Sequence, residues 1–204
     1  MEIISLKIKS KTNPNIFIAN ANNQEYELHS DIIVKNSIKK GEIDEQIFFD
    51  SVLESAKLIA WNLALKYIGN KLKTEKQIKD YLYKKGYHKN VVEDVNKKLV
   101  DYGIISDKIY AETYIKLNSK NSKNRLKQKL YSFGVKSNLV DELTLELDDT
   151  ESCQMEAQKF FKNKQLTKEN TDKLIRRLQT KGYSWDTIKS TLNKLKMEIE
   201  DDRY

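Results

Sequence analysis

The spacing of apolar residues divides this chain near residue 50. Before it they come in short extended runs: Ile3, Leu6 and Ile8, then Ile16-Phe17-Ile18, then Tyr26–Leu28. Asn20-Ala21-Asn22-Asn23, a turn-rich interval, separates the last two runs. The pattern predicts two or three short strands in a small antiparallel sheet. Ile32–Ile38 reads as a helical turn closed by Lys39-Lys40-Gly41. Beyond the division the period becomes helical. Val52, Ala56, Ile59, Ala60, Leu63 and Tyr67 share one face of a helix expected to begin near Asp50 or Ser51 and to stop at Gly69.

The next stretch, Thr74–Leu99, recurs twice at a displacement of 48 residues, as Ser122–Leu147 and Asn170–Leu195. Each copy keeps the same skeleton: Thr74/Ser122/Asn170, Ile78/Leu126/Leu174, Leu82/Leu130/Leu178, Gly86/Gly134/Gly182, Val92/Val140/Ile188 and Leu99/Leu147/Leu195. Thr, Ser and Asn are helix N-caps, because a short side-chain oxygen accepts from the first-turn N–H groups. Gln77 stands three residues after Thr74, the spacing of a capping box. The glycine is expected at C′, where a left-handed φ carries no Cβ penalty. A second amphipathic helix then runs to the final leucine.

A leading helix precedes each later copy, marked by Ile109, Tyr110 and Tyr114 after Asp107, and by Met155, Phe160 and Phe161. The fold expected is therefore mainly α: three tandem three-helix repeats (51–105, 106–149 and 150–204) in an elongated array, preceded by the small β element at 1–50. One such unit has only a small core, and stacking neighbours buries more apolar surface.

Composition adds a partner class. The net charge is +7, yet residues 1–50 hold six Lys against eight Asp and Glu, so the excess belongs to the remainder. A basic body favours an acidic partner, of which nucleic acid is the commonest. Only four of the 37 basic residues are Arg, and Lys-rich composition accounts for part of the excess. Lysine contacts phosphates as a point charge without reading base edges, which points to backbone contact. The single Cys153 leaves no intramolecular disulfide or cysteine metal site. No apolar run approaches the roughly 18 residues of a membrane span. The opening MEIISLKIKS, broken by Lys7 and Lys9, is unlike a signal peptide. A monomer in a reducing cytoplasm is the simplest expectation.

The charge is also concentrated. From Thr113 to Val140 there are seven bases and no acid; from Asp141 to Glu151 there are six acids and no base. On the helix from Ser122 to Phe133, Leu126, Leu130 and Phe133 form the buried stripe. Lys123 and Lys127 flank it on one side, Arg125 and Lys129 on the other. With Lys116 and Lys120 these make the first candidate contact surface for a nucleic acid or an acidic groove. For any one lysine, a stem lying over apolar neighbours is an equal reading. Lys173, Arg176, Arg177 and Lys181 form a second candidate patch, although Arg177 can equally hold a carboxylate of a neighbouring repeat. The acidic tail Glu198–Asp202 reads as a frayed, solubilising helix end.

No catalytic constellation emerges. His29 and His88 have no partner at metal-ligand spacing, and His88 takes a turn position filled by Lys136 and Ser184 in the other copies. Cys153 follows an acidic run that should raise its pKa. There is no glycine-rich phosphate loop. The expectation is no enzyme and no cofactor.

At KKLVDYGIISDKIYAETYI (Lys97–Ile115) and KLIRRLQTKGYSWDTI (Lys173–Ile188) the chain resembles the bacterial RecX family, the regulators of the RecA recombinase. The first shows the family's helix end, Gly, apolar pair, Asp and aromatic-Ala pattern; the second shows its third repeat. The strand-rich opening and IKKGEID (Ile38–Asp44) are similar to the amino-terminal portion of longer members. KLNSKNSKNR (Lys116–Arg125) departs from the family, with Asn and Ser in place of more Arg and a Gly. The resemblance implies a non-enzymatic modulator that binds RecA filaments on single-stranded DNA and suppresses ATP hydrolysis and strand exchange. Two other readings stand beside it: a sequence-nonspecific protein competing for single strands, and a helical-repeat scaffold for an unrelated acidic protein.

Overall fold

Asn22 and Asn23 both take positive φ, 50° and 59°, the geometry of a two-residue hairpin turn whose twist matches that of the strands it joins. They connect β2 (Asn13–Ala21) to β3 (Gln24–His29), and β1 (Glu2–Ser10) pairs antiparallel with the other side of β2. A two-residue β4 (Gly41–Glu42) adds to the outer edge of β1, giving the order β3-β2-β1-β4. The sheet thus has one strand more than the spacing predicts, because β4 is too short to show a period. Ile3, Ala19, Ala21 and Leu28 pack beneath it with Ile38 and Phe48. The structure is a computed structural model. It describes residues 1–201, with side chains through Leu195, so the acidic tail Glu198–Asp202 lies outside the described side chains.

Helix α1 (Ser30–Lys35) is capped by His29, whose Nδ1 accepts from the Asp31 amide at 3.2 Å. Helix α2 (Glu45–Ile68) begins about a turn and a half before the expected start. Asp44 supplies the cap, accepting from the Ile47 amide at 3.0 Å, and the added turns carry Phe48 against the sheet. The far end of α2 buries Ala60 and Ala64 against α3 (Glu75–Lys84) and α4 (Lys89–Asp101). Gly69 follows α2 as its C-cap. The first compact unit of the chain spans Met1–Ser106.

The second unit begins at Asp107. It holds α5 (Asp107–Leu117), α6 (Lys123–Ser132), α7 (Ser137–Thr144), α8 (Thr150–Phe161), α9 (Lys168–Thr180) and α10 (Trp185–Asp201). Ala111, Leu130, Val135 and Val140 make the core of α5–α7. Cys153, Ala157, Leu174, Leu178, Tyr183, Ile188 and Leu195 make that of α8–α10. The chain is mainly helical with a small antiparallel sheet at its start.

The repeated glycines behave alike. Gly86, Gly134 and Gly182 have φ of 87°, 87° and 89°. Each donates its N–H to the carbonyl three residues back, at 2.9, 2.9 and 2.8 Å. The following residue bonds five residues back, Tyr87 to Leu82, Val135 to Leu130 and Tyr183 to Leu178. This paired pattern is the Schellman stop, which satisfies carbonyls that a helix end otherwise leaves open. Thr74 and Gln77 form the full capping box expected of them.

Two copies depart from the skeleton. Asn170 is not a cap: α9 starts earlier, and Thr167 accepts from the Asn170 amide at 3.3 Å. Helix α7 stops at Thr144, before the skeleton Leu147. Its last carbonyls turn to other donors: Thr144 Oγ1 donates to the Val140 carbonyl at 2.7 Å, and the Lys123 ammonium to the Leu145 carbonyl at 2.7 Å. A cation there also complements the negative end of the helix.

Candidate nucleic-acid and partner interface

Helix α6 sorts its cations by side. Lys123 and Lys127 turn toward α7 and the acidic run. Lys127 donates to Asp141 Oδ1 at 2.7 Å, and the Tyr131 hydroxyl donates to the same oxygen at 3.0 Å. The shared bond raises the lysine's pKa and, with the Tyr131 bond, lowers that of Asp141, so both partners hold their charge. The sign reversal along the sequence is thus partly an internal pairing. Among the described residues, Arg125 and Lys129, on the other flank, make no ion pair.

Arg125 and Lys129 instead border a groove of about 440 Å³, whose other wall is the end of α9. Gln179, Thr180, Lys181 and Gly182 supply that wall, and Gln128 and Ser132 complete the α6 side. Among the described residues no carboxylate lines it. The groove exists because the two helix ends are fastened together. Ser122, almost wholly buried, accepts from the Arg125 amide at 3.3 Å as N-cap and donates to the Lys181 carbonyl at 2.6 Å. A Cβ on Gly182 would lie 2.9 Å from Ser122 Oγ, so the close approach depends on glycine. Asp149 ties the same corner from beneath: one carboxylate oxygen accepts from the Lys123 amide at 2.8 Å, the other from Thr187 Oγ1 at 3.2 Å.

The second patch divides as well. Lys181 and Arg177 reach Glu156 Oε2 at 2.5 and 3.5 Å. The Lys181 ammonium first, then the charge of Arg177, holds this carboxyl below its ordinary value. The carboxylate that meets Arg177 comes from α8, within its own three-helix group. Lys173 pairs with Glu169 at 2.6 Å along α9. Arg176 is exposed, as are Lys116 on α5 and Lys120 in the turn after it, and none of the three makes an ion pair among the described residues. The groove therefore brings together Arg125, Lys129 and Lys181 of the ten candidate residues. Sequence reasoning missed its neutral donors, Gln128, Gln179 and Thr180, and the two carboxylates that shape it, Asp149 and Glu156. The recurring glycine at 182 was the one available signal.

Cys153 is buried, and its pKa is raised by that burial first, with the charges of Asp149 and Glu156 adding to it. His88 stands at the N-cap of α4 without a side-chain cap bond; at the equivalent position Ser184 caps α10 by accepting from the Thr187 amide at 3.1 Å. Among the described residues no helix is long and apolar enough to cross a membrane.

Comparison with known proteins bears on what this arrangement serves. Residues 60–99, covering the end of α2 with α3 and α4, match the family model described as RecX, first three-helix domain. The chain is 32% identical over 183 residues to regulatory protein RecX of Streptococcus pyogenes serotype M2, covering 84% of this chain and 71% of that protein. It is 31% identical over 203 residues to regulatory protein RecX of Clostridium tetani, covering 94% and 92%. A crystal structure of regulatory protein RecX superposes with a TM-score of 0.70 at 20% identity, covering 94% of this chain and 98% of the other. That of RecX from Lactobacillus salivarius gives 0.64 at 24% identity, covering 70% and 97%. At those identities the two structures speak for the fold, and the sequence relatives, matched over most of their length, speak for descent. The chain belongs to the RecX family of regulatory proteins.

Proposed function

We propose that this protein is a non-enzymatic cytoplasmic regulator that binds the RecA filament on single-stranded DNA and restrains its ATP hydrolysis and strand exchange. Family membership supports the partner. The observation that carries the contact assignment is the carboxylate-free groove between α6 and α9, with Arg125 and Lys129 left unpaired on one wall. Cations without an internal partner are the ones free to neutralise phosphates or acidic side chains, and such contacts are sequence-independent. In this reading the helices work as three three-helix units, 51–105, 106–149 and 150–204, and the protein acts as a monomer.

The test is RecA ATP hydrolysis on preformed single-strand filaments, titrated with this protein and set beside a naked-DNA binding curve. Inhibition well below the amount that coats the DNA is expected. Inhibition only at saturation of free DNA would point to competition for the strand, and no effect at any ratio would sink the proposal.

A further inference from the structure

The first unit holds a cavity of its own, of about 270 Å³, where the β1–β2 turn and the end of β3 meet α2. Its polar lining is Thr12, Asn13, Asn15, His29, Asn62 and Lys66, with no carboxylate among the wall residues. Pro14, Ile16, Ile59 and Leu63 line the remainder. The His29 side chain is only 7% exposed. Its Nδ1 accepts from the Asp31 amide at 3.2 Å, with an Asp31 carboxylate oxygen 3.6 Å from the same nitrogen, and the ring's other nitrogen, Nε2, is then the donor of the neutral form. Among the described residues Nε2 has no hydrogen-bond partner, and His29 lines the cavity. His29 thus adds a ring edge to a wall that otherwise offers amides, a hydroxyl and one ammonium. Lys66 is exposed and makes no ion pair among the described residues.

Carboxylate-free walls with one cation and several neutral donors suit a compact anion, because charge-assisted hydrogen bonds to an anion are about twice as strong as neutral ones. The apolar strip suits a flat or aliphatic body attached to it. The volume, about 270 Å³, lies just below the usual range of ligand sites, so the cavity takes a phosphate and part of a ring-bearing body while the rest stays in solvent. We infer that this cavity binds a terminal phosphate monoester on a small ring-bearing body. That chemistry is shared by a free mononucleotide and by the phosphorylated end of a nucleic-acid strand. In the bound state Lys66, His29 Nε2–H and the Asn62 amide hold the phosphate, and the body lies over Ile16, Ile59 and Leu63.

Titration calorimetry on the full chain tests this with five probes: inorganic phosphate, adenosine monophosphate, adenosine, and one short single strand carrying either a 5′-phosphate or a 5′-hydroxyl. The two strands share every backbone contact, so their difference isolates the terminal group. Saturable binding is expected for adenosine monophosphate or the 5′-phosphorylated strand, about tenfold tighter than for adenosine or the 5′-hydroxyl strand respectively. Preference confined to the mononucleotide identifies a free nucleotide as the source, and preference confined to the strand identifies a strand end. Lys66→Gln and Asn62→Leu, both at exposed positions, should each weaken that binding about tenfold. Lys71→Gln, outside the cavity, should leave it unchanged. Equal affinity with and without the phosphate, indifference to both cavity substitutions, or no saturable binding of any probe would overturn the assignment.

Discussion

The Ser122 hydroxyl donates to the Lys181 carbonyl at 2.6 Å, across 59 residues of sequence. One oxygen serves two helices there, as the N-cap of α6 and as a donor to the last turn of α9. Gly182 sits so close that its missing Cβ is part of the joint, whereas a Cβ on Gly86, the same repeat position in the first unit, would meet nothing within 4 Å. Gly86→Ala should therefore cost only the left-handed backbone penalty, roughly 1–2 kcal/mol. Gly182→Ala should cost that and a steric clash of roughly 1–3 kcal/mol besides. Urea unfolding of the two variants measures the difference, and equal losses would mean that the Ser122 contact yields without cost.

Asp149 holds the same corner through two bonds. Asp149→Ala should destabilise the second unit by about 1–3 kcal/mol, since it leaves the Lys123 amide unsatisfied and removes a charged acceptor. Hydrogen exchange should quicken first at Lys123, at the start of α6. Unchanged protection there would remove Asp149 from the joint.

Arg125→Gln with Lys129→Gln should leave the unfolding midpoint nearly unmoved, because neither residue has an ion pair to lose among the described residues. The same pair should weaken single-strand DNA binding. It should also reduce the slope of log K against log salt by about 1.4, if each cation neutralises one phosphate. Lys127→Gln offers the contrast: it should lower the unfolding midpoint slightly, through the lost bond to Asp141, with little change in salt slope. An unchanged slope in the double variant would move the contact surface elsewhere.

Both ends of the pH–stability curve should carry a named residue. Glu156 is held below its ordinary pKa, mainly by Lys181. Its contribution is complete above the ordinary glutamate value, about 4.3, and is lost as the pH falls through the depressed one. Tyr87 is pushed up to about 12 from 10.0, by burial first and then by the charge of Glu27. The fold favours its neutral form, so that contribution is complete below 10.0 and disappears as the pH rises toward about 12. Glu156→Gln should flatten the acid limb and Tyr87→Phe the alkaline limb, each measured by urea midpoints across pH.

Much of this was legible from one copy compared with the next. A glycine recurring at a helix end announces a left-handed φ, and Gly86, Gly134 and Gly182 all adopt it with the same pair of bonds. Thr74 and Gln77 sit at capping-box spacing and form one. Local signals failed where a better partner lay nearby. Thr167 outcompetes Asn170 because it stands one turn earlier with a free hydroxyl. Phe48 draws α2 back to Glu45 because the sheet offers it a buried site, a tertiary gain that helical periodicity does not register. The flank pattern on α6 was readable, but what each flank meets was not. Asp141 and the end of α9 reach Lys127 and Lys129 only through turns whose geometry sets the approach. The cavity around His29 was invisible for the same reason, its wall being drawn from residues 12–16, 29 and 59–66.

Helix α2 belongs to two cores at once, with Phe48 under the sheet and Ala60 and Ala64 against α3 and α4. A rigid rod shared in this way makes local disorder costly to confine. If the sheet lifts away, Phe48 is left in water and the first turns of α2 lose their support, and the damage passes along the rod to the helices. Residues 1–106 should accordingly melt in one cooperative transition, with the strand-rich opening acting as a foundation of the helical half. Deleting it would lower the melting temperature of α2–α4 even though none of their own residues had changed.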